Sequence, residues 1–311
     1  MSEEQDLKKA RDFIAENNKS QASIILWRLY QSHNLKIKLD TILSLLVILN
    51  HFTENEKLLE ITEEGLKIAS VLNNKDVEAY LLAEKCNFLI NKIGFMIYRQ
   101  KNLKLSANVF KWISFSTEQE KNEFEIITQQ RKNIEQELQR LEIAVSDIVK
   151  NSKNYYFRGH IFLRLGDFYS SKFLNDQLDT MIGGKMRSKI GNIYFVRRWN
   201  LGRWFLYKNE DRKKIKDDWD KCIYFFKSAI SDFKSGGHNG EMAHAYYNFA
   251  IKYKTVFQFR KSKKLLEQAQ KLAERCNEKR LLSQITLFRK ELTDRNKNIR
   301  NYVEEYGLDL H

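Results

Sequence analysis

Between Asp179 and Glu210 the chain carries no acidic residue, while Lys185, Arg187, Lys189, Arg197, Arg198, Arg203 and Lys208 interleave with Tyr194, Phe195, Trp199, Trp204, Phe205 and Tyr207. Cations that pair with phosphates, beside rings on which bases stack, are the chemistry of single-stranded nucleic acid binding. Most of these rings also have the size and spacing that a helical core uses. The cations that core packing leaves exposed, Lys185, Arg187, Lys189, Arg197 and Arg198, therefore carry the nucleic-acid reading.

No spacing in the chain is diagnostic of catalysis. Gly183-Gly184-Lys185 imitates part of a phosphate loop, but Asp179 stands where the first glycine belongs, Met186 where Ser or Thr belongs, and no strand signal precedes it. Asp217, Asp218 and Asp220 have the oxygen ligands a divalent ion takes. They precede Lys221 on a helix whose other face reads as core, so a solvated acidic face is expected. The histidines, at 33, 51, 160, 238, 244 and 311, form no His-Glu-x-x-His or Cys/His ligand pattern. The expectation is a protein with no enzymatic activity, no cofactor and no structural metal.

The elements that would position such residues are helices. In the stretch 243–274, Tyr246, Phe249, Ala250 and Tyr253 share one face of a first helix at 3.6 residues per turn. Phe259, Ser262, Leu266 and Ala269 share one face of a second. Ala250, Ser262 and Ala269 are small where the two axes would cross, which lets the backbones approach. A hairpin of this kind cannot bury its apolar face alone and needs neighbours of its own type.

The order Tyr246, Phe249, Ala250, Tyr253, Phe259, Ser262, Leu266, Ala269 resembles the tetratricopeptide repeat, with Ala250 in place of the usual Gly and Glu274 in place of the closing Pro. Trp219, Cys222, Phe226 and Ala229 resemble its second helix. Leu201, Gly202 and Phe205, and further back Phe162, Leu165, Gly166 and Tyr169, resemble its first. The resemblance covers roughly residues 155–295. It implies an all-α fold, a right-handed superhelix of antiparallel helix pairs, with a concave groove for a peptide or protein segment. The family's groove positions correspond here to His244, Tyr247, Ile251, Lys254 and Thr255, and in the preceding repeat to Trp199, Arg203, Leu206 and Tyr207. It also implies Tyr246 packed between helices and Tyr247 open in the groove. Tyr247 and Ile251 occupy positions of the family's Lys/Asn chaperone-tail clamp, so that role is not implied.

Composition agrees with a helical protein. The chain has 311 residues, no proline and 42% hydrophobic residues, enough for a substantial core. Without proline, helices must end at Gly, Asn and Ser pairs such as Asn73-Asn74 and Gly236-Gly237. Cys86, Cys222 and Cys276 are few and scattered, as reduced thiols of a cytoplasmic protein are. The acidic, polar start Met1 to Asp6 is unlike a signal peptide, and the longest apolar run, Ile42 to Leu49, is too short to span a bilayer. No membrane partner is expected.

The net charge of +14 is held unevenly. Residues 1–150 carry 21 Lys+Arg against 22 Asp+Glu, and residues 151–311 carry 33 against 18. A basic half implies an acidic partner, peptide or nucleic acid. The polar break Asn151 to Asn154 divides the chain by pattern into an N-terminal helical region, 1–150, and a basic repeat-like region, 151–311, closed by a capping helix over Glu278 to Lys290.

In the N-terminal region the pattern predicts helices over 5–16, 20–33, 37–51, 54–72 and 77–100, the last interrupted near Gly94, then a shorter one over 104–114. Spacing over the first two admits a helix-turn-helix, but neither helix is basic and polar enough to read a groove. Thr117 and Glu120 form a capping box for a long helix to about Val149. Along it Phe124, Ile127, Arg131, Ile134, Leu138, Leu141, Val145 and Ile148 alternate in steps of three and four. That seam packs either on the chain's own helices or, as a coiled coil, on a second copy over 117–149.

Overall fold

With no proline anywhere, helix ends fall to residues that tolerate left-handed backbone. Asn73 (φ 51°), Asn277 (φ 55°) and Gly237 (φ 73°) adopt it. In each case the next residue's N–H reaches back over the last turn: Asn74 to the Ala69 carbonyl at 2.9 Å, Glu278 to Ala273 at 2.9 Å and His238 to Phe233 at 2.8 Å. The stops at Asn73-Asn74 and Gly236-Gly237 are those the sequence signals, and Asn277 adds a third. At helix starts Ser2, Asn18 and Asn34 accept from first-turn N–H groups, and Ser2 forms a capping box with Gln5.

The computed structural model describes residues 2–16, 18–49, 55–106, 118–183, 209–256 and 258–305. Among them are eleven helices and no strand: α1 (Glu3–Ala15), α2 (Lys19–Leu29), α3 (Leu35–Ile48), α4 (Asn55–Val71), α5 (Lys75–Ser106), α6 (Glu118–Asn151), α7 (Tyr155–Gly183), α8 (Asn209–Ser235), α9 (Asn239–Thr255), α10 (Phe259–Arg275) and α11 (Lys279–Glu305). No described helix is long and apolar enough to cross a membrane. The described residues form two compact units, one of residues 2–183 with 209–225 and one of residues 226–305, so the division falls inside α8.

The break at 151–154 is not that division. Ser152 donates to Asp76 Oδ1 at 2.6 Å, and Asn154 caps α7 through the N–H groups of Tyr156 and Phe157. It is a tight connection that returns the chain along α5, and α6 and α7 both pack on that helix.

The first unit is built around α5. Its apolar residues occur on every side, and Val77, Leu81, Ala83, Phe88, Leu89, Ile90, Ile93 and Ile97 are all buried. Apolar residues on several sides need several partners, and α4, α6 and α7 pack on it, leaving Phe95 and Tyr98 exposed. Cys86 lies in this interior, its thiol pushed up to about 12 by burial and by the nearby Glu142 carboxylate. The expected interruption at Gly94 does not occur, and Lys104 to Ser106 belongs to the same helix. Gly94 instead makes room for Asn175 of α7, whose amide donates to the Ile90 carbonyl at 2.9 Å. A Cβ on Gly94 would stand 2.9 Å from Asn175 Oδ1.

The seam of α6 faces α5 within the same chain, with Ile127, Leu138, Val145 and Val149 buried. Arg131, the one charged position of the seam, donates to Gln100 Oε1 at 2.8 Å, and the Gln100 amide donates to Thr128 at 2.8 Å. A second copy could take this seam only by displacing α5. The capping residue Thr117 and most of the helix expected over 104–114 lie outside the described residues.

In α7 the structure departs from the repeat pattern. The resemblance of Phe162, Leu165, Gly166 and Tyr169 to a first helix implies a turn and a second helix soon after Tyr169, but one continuous helix runs to Gly183. Past the Tyr169 position of the repeat, Phe173 still has a partner in Trp219 of α8, their ring centroids 5.1 Å apart, so nothing ends the helix there.

Gly94→Ala tests the α5–α7 contact. At a free helical site this change gains about 1 kcal/mol, whereas here it should lose about 1–2 kcal/mol, because the buried Asn175 hydrogen bond must break. Urea denaturation followed by circular dichroism measures the sign.

Candidate binding groove

The hairpin α9–α10 and the following α11 share one core. Ala243, Ala250, Leu266, Ala269, Ala273, Leu281, Ile285 and Phe288 are buried in it. The small residues at the crossing act as expected: Ser262 is fully buried and donates to the Ala250 carbonyl at 2.8 Å, which satisfies its hydroxyl without spreading the helices. On the other flank of α9, Phe249 stacks on Phe226 with centroids 4.9 Å apart and meets the Tyr253 ring at a tilt, 4.8 Å away.

Of the expected groove residues, His244, Tyr247, Ile251, Lys254 and Thr255 are on α9, spaced to share one face. Thr255 is exposed and the other four are half-buried. Trp199, Arg203, Leu206 and Tyr207 lie outside the described residues, as do Lys185, Arg187, Lys189, Arg197 and Arg198. Tyr247 is not open as expected. Its ring meets Phe288 of α11 edge-on at 5.9 Å, and burial, with Glu291 nearby, raises its hydroxyl above the ordinary value. Lys254 pairs with Glu291 and stands 4.5 Å from the Phe288 ring centroid. Beside His244, Glu241 is held above the usual carboxylate range by burial, which His244 opposes. Tyr246 is likewise half-buried against the shared core. The face is thus a shallow surface with α11 as one wall.

In the first unit, the aspartates considered for a divalent ion separate. Asp217 and Asp220 are exposed, but Asp218 is buried and not solvated as expected. Lys172 of α7 reaches Asp218 at 3.0 Å, and Lys214 reaches Asp176 at 3.0 Å. Burial raises the Asp218 carboxyl to about 6; Lys172 opposes this and the neighbouring Asp176 adds to it. Next to them Tyr169 donates to Glu142, and Lys221 donates to the Tyr169 hydroxyl at 3.2 Å. Alternating charges across α6, α7 and α8 make this an ion-paired contact between helices. No group of three or more His, Cys, Asp or Glu among the described residues is arranged to hold a metal ion.

Two further polar sites escaped the sequence reading. Glu84, fully buried on α5, accepts from Arg164 at 2.6 Å and from the Tyr80 hydroxyl at 2.7 Å. Burial works against the Arg164 charge, but Glu84, Tyr80 and Asp167 outweigh it and hold the guanidinium above its ordinary value. Glu84 directly after the run Ala79-Tyr80-Leu81-Leu82-Ala83 and an arginine inside Phe162-Leu163-Arg164-Leu165 were the available signals. The second site is a cleft of about 810 Å³ between the α4–α5 and α6–α7 connections, lined by Asn73, Asn74, Asp76, Asp147, Asn151 and Lys153 among others. Its two halves are joined by the Ser152–Asp76 hydrogen bond, and no pattern within either connection announces the other. Compared with known proteins, the chain matches no family model and no curated protein.

Two measurements test these placements. Tyr247→Ala should cost about 2 kcal/mol of unfolding free energy, roughly half the loss of a fully buried ring, whereas Tyr247→Phe keeps the contact with Phe288 and should cost almost nothing. For Asp218 the folded value near 6 lies above the ordinary 3.8, so the folded state binds the proton more tightly. Its stabilising effect is present at low pH and lost as pH rises through 6. Asp218→Asn should therefore raise the melting temperature at pH 8 by about 3 °C, and the difference from wild type should vanish toward pH 4.

Proposed function

We propose that the protein is a non-enzymatic binding module, a tetratricopeptide-like α-solenoid that holds a peptide or protein segment in a concave groove. The observation that carries this reading is the α9–α10 hairpin. Ser262 seats on the Ala250 carbonyl at the close crossing, α11 continues the same core, and the face of α9 bearing His244, Tyr247, Ile251, Lys254 and Thr255 stays partly open. Rings flanked by cations suit an acidic or aromatic-bearing segment, since a buried aromatic anchor beside a charge is the usual composition of a binding hot spot.

A second reading, binding of single-stranded RNA or DNA, is favoured by the charge distribution and by the cations Lys185, Arg187, Lys189, Arg197 and Arg198 among aromatic rings. Salt separates the two. For a single strand, log affinity falls against log salt at about −0.7 per phosphate contacted. A fluorescein-labelled acidic peptide containing Phe, and a labelled single-stranded RNA, are titrated over a range of salt. Saturable peptide binding that is weakened several-fold by Ile251→Ser and is only mildly salt-dependent supports the groove. RNA binding with a steep slope and no peptide binding replaces it with the second reading.

A further inference from the structure

The outer face of α10 carries six exposed cations against two exposed acids, Glu267 and Glu274. Arg260, Lys261, Lys263, Lys264, Lys271 and Arg275 are all exposed, and Lys279 and Arg280 continue the series at the start of α11. Four of them, Arg260, Lys264, Lys271 and Arg275, fall within a strip about 60° wide and about 22 Å long, from the turn and rise of an α-helix. The strip lies opposite Ser262, Leu266, Ala269 and Ala273, the buried side of the helix.

An ordinary solvated face pairs its charges, as the first unit does. There Arg11 is answered by Asp40, Lys75 by Glu78, Arg99 by Glu123 and Lys150 by Asp147. Of the cations on α10 and at the start of α11, none forms an ion pair with a described residue; Lys261 rests over the Tyr253 ring at 5.3 Å. Arg260–Lys264 and Lys271–Arg275 are like-charge pairs four residues apart, which repel. The first turn holds no acid, although helix N-termini favour acids over cations. A polyanion laid along this face relieves every one of these repulsions.

We infer that the outer face of α10 docks the phosphodiester backbone of a nucleic-acid duplex. A single strand is the poorer fit, because its binders add exposed rings for stacking, and the one ring on this helix, Phe259, is partly buried in the shared core. A membrane surface is also the poorer fit. The apolar side of α10 is consumed by the hairpin core, so nothing remains to insert between lipids. A duplex offers a rigid row of phosphates that needs neither stacking nor insertion. The inference is independent of the groove on α9.

The test is fluorescence anisotropy of the full chain with a short labelled duplex, as DNA and as RNA of one sequence, over a range of salt. Wild type should bind both duplexes with similar affinity. Substituting Arg260, Lys264, Lys271 and Arg275 together by Gln, which keeps helix propensity, should make the log–log salt slope shallower by about 3–4, at about 0.9 per phosphate, and weaken binding by about ten-fold or more. Exchanging Arg and Lys at the same four positions should restore binding. Gln at Lys185, Arg187, Lys189, Arg197 and Arg198 should leave the contribution of α10 in place. The proposal is overturned if the four-site Gln variant, still helical by circular dichroism, keeps the wild-type slope. It is equally overturned if phosphatidylserine vesicles, polyglutamate or the single strand bind wild type more tightly than the duplex does.

Discussion

A carboxylate enclosed in an apolar helix has to be met by a cation, and in the first unit that requirement fixes the arrangement of three helices. Glu84 has no exposed surface, and Arg164 is the group that neutralises it. Removing one partner of such a pair strands the other charge in a poor solvent, which costs about 3–5 kcal/mol. The pair therefore permits one register of α7 against α5. Asn87 reinforces it from α5 by donating to the Arg164 carbonyl at 2.9 Å, and Asn175 from α7 by donating to Ile90. These contacts advance in the same direction along both helices, so α5 and α7 run parallel. A parallel pair consecutive but for one helix requires α6 to return antiparallel over nearly its whole length. Glu137 meeting Lys85 and Arg131 meeting Gln100 are the marks of that return.

The same reasoning separates what the sequence discloses from what it conceals. Helix ends were legible because a proline-free chain has few ways to stop, and Asn73 and Gly237 are residues that accept left-handed backbone at little cost. The seam of α6 was legible as a seam, since steps of three and four put its apolar residues on one side whatever covers them. Its partner was not, because α5 and a second copy satisfy the same pattern. At Gly94 the local signal pointed the wrong way. Glycine disfavours a helix by its own propensity, and only the arrival of Asn175, distant in the chain, turns the missing Cβ into a contact.

The repeat pattern has the same limit. It gives the phase of residues around one helix, and around α9 that phase held: Phe249, Ala250 and Tyr253 are buried, and Ser262 meets Ala250. It does not say how far the next helix reaches over the neighbouring face. Tyr247 lies at the margin where α11 arrives, so its ring is shared between the surface and Phe288. In α7 the pattern failed for a related reason. The repeat assumes that the core ends after the Tyr169 position, but Phe173 finds Trp219 and the Asp176–Lys214 pair follows one turn later. Those contacts extend one helix where two were expected.

The two faces of the α9–α10 hairpin follow from one geometric fact. Each helix gives its buried side to the shared core, so the surface left on α9 and the surface left on α10 point away from each other and differ in composition. On α9 the remainder mixes His244, Tyr247, Ile251 and Lys254, and its cation is already paired with Glu291. On α10 almost nothing but charge remains, because Ser262, Leu266, Ala269 and Ala273 account for its buried side. Helix pairing has thus put a mixed, partly apolar surface and a strongly charged one on opposite sides of one small element. If both surfaces bind as proposed, the first does so through shape and desolvation and the second through counterion release. On the two proposals a change in salt would act mainly on the second, so the same hairpin would release a polyanion without altering the surface it offers to a peptide.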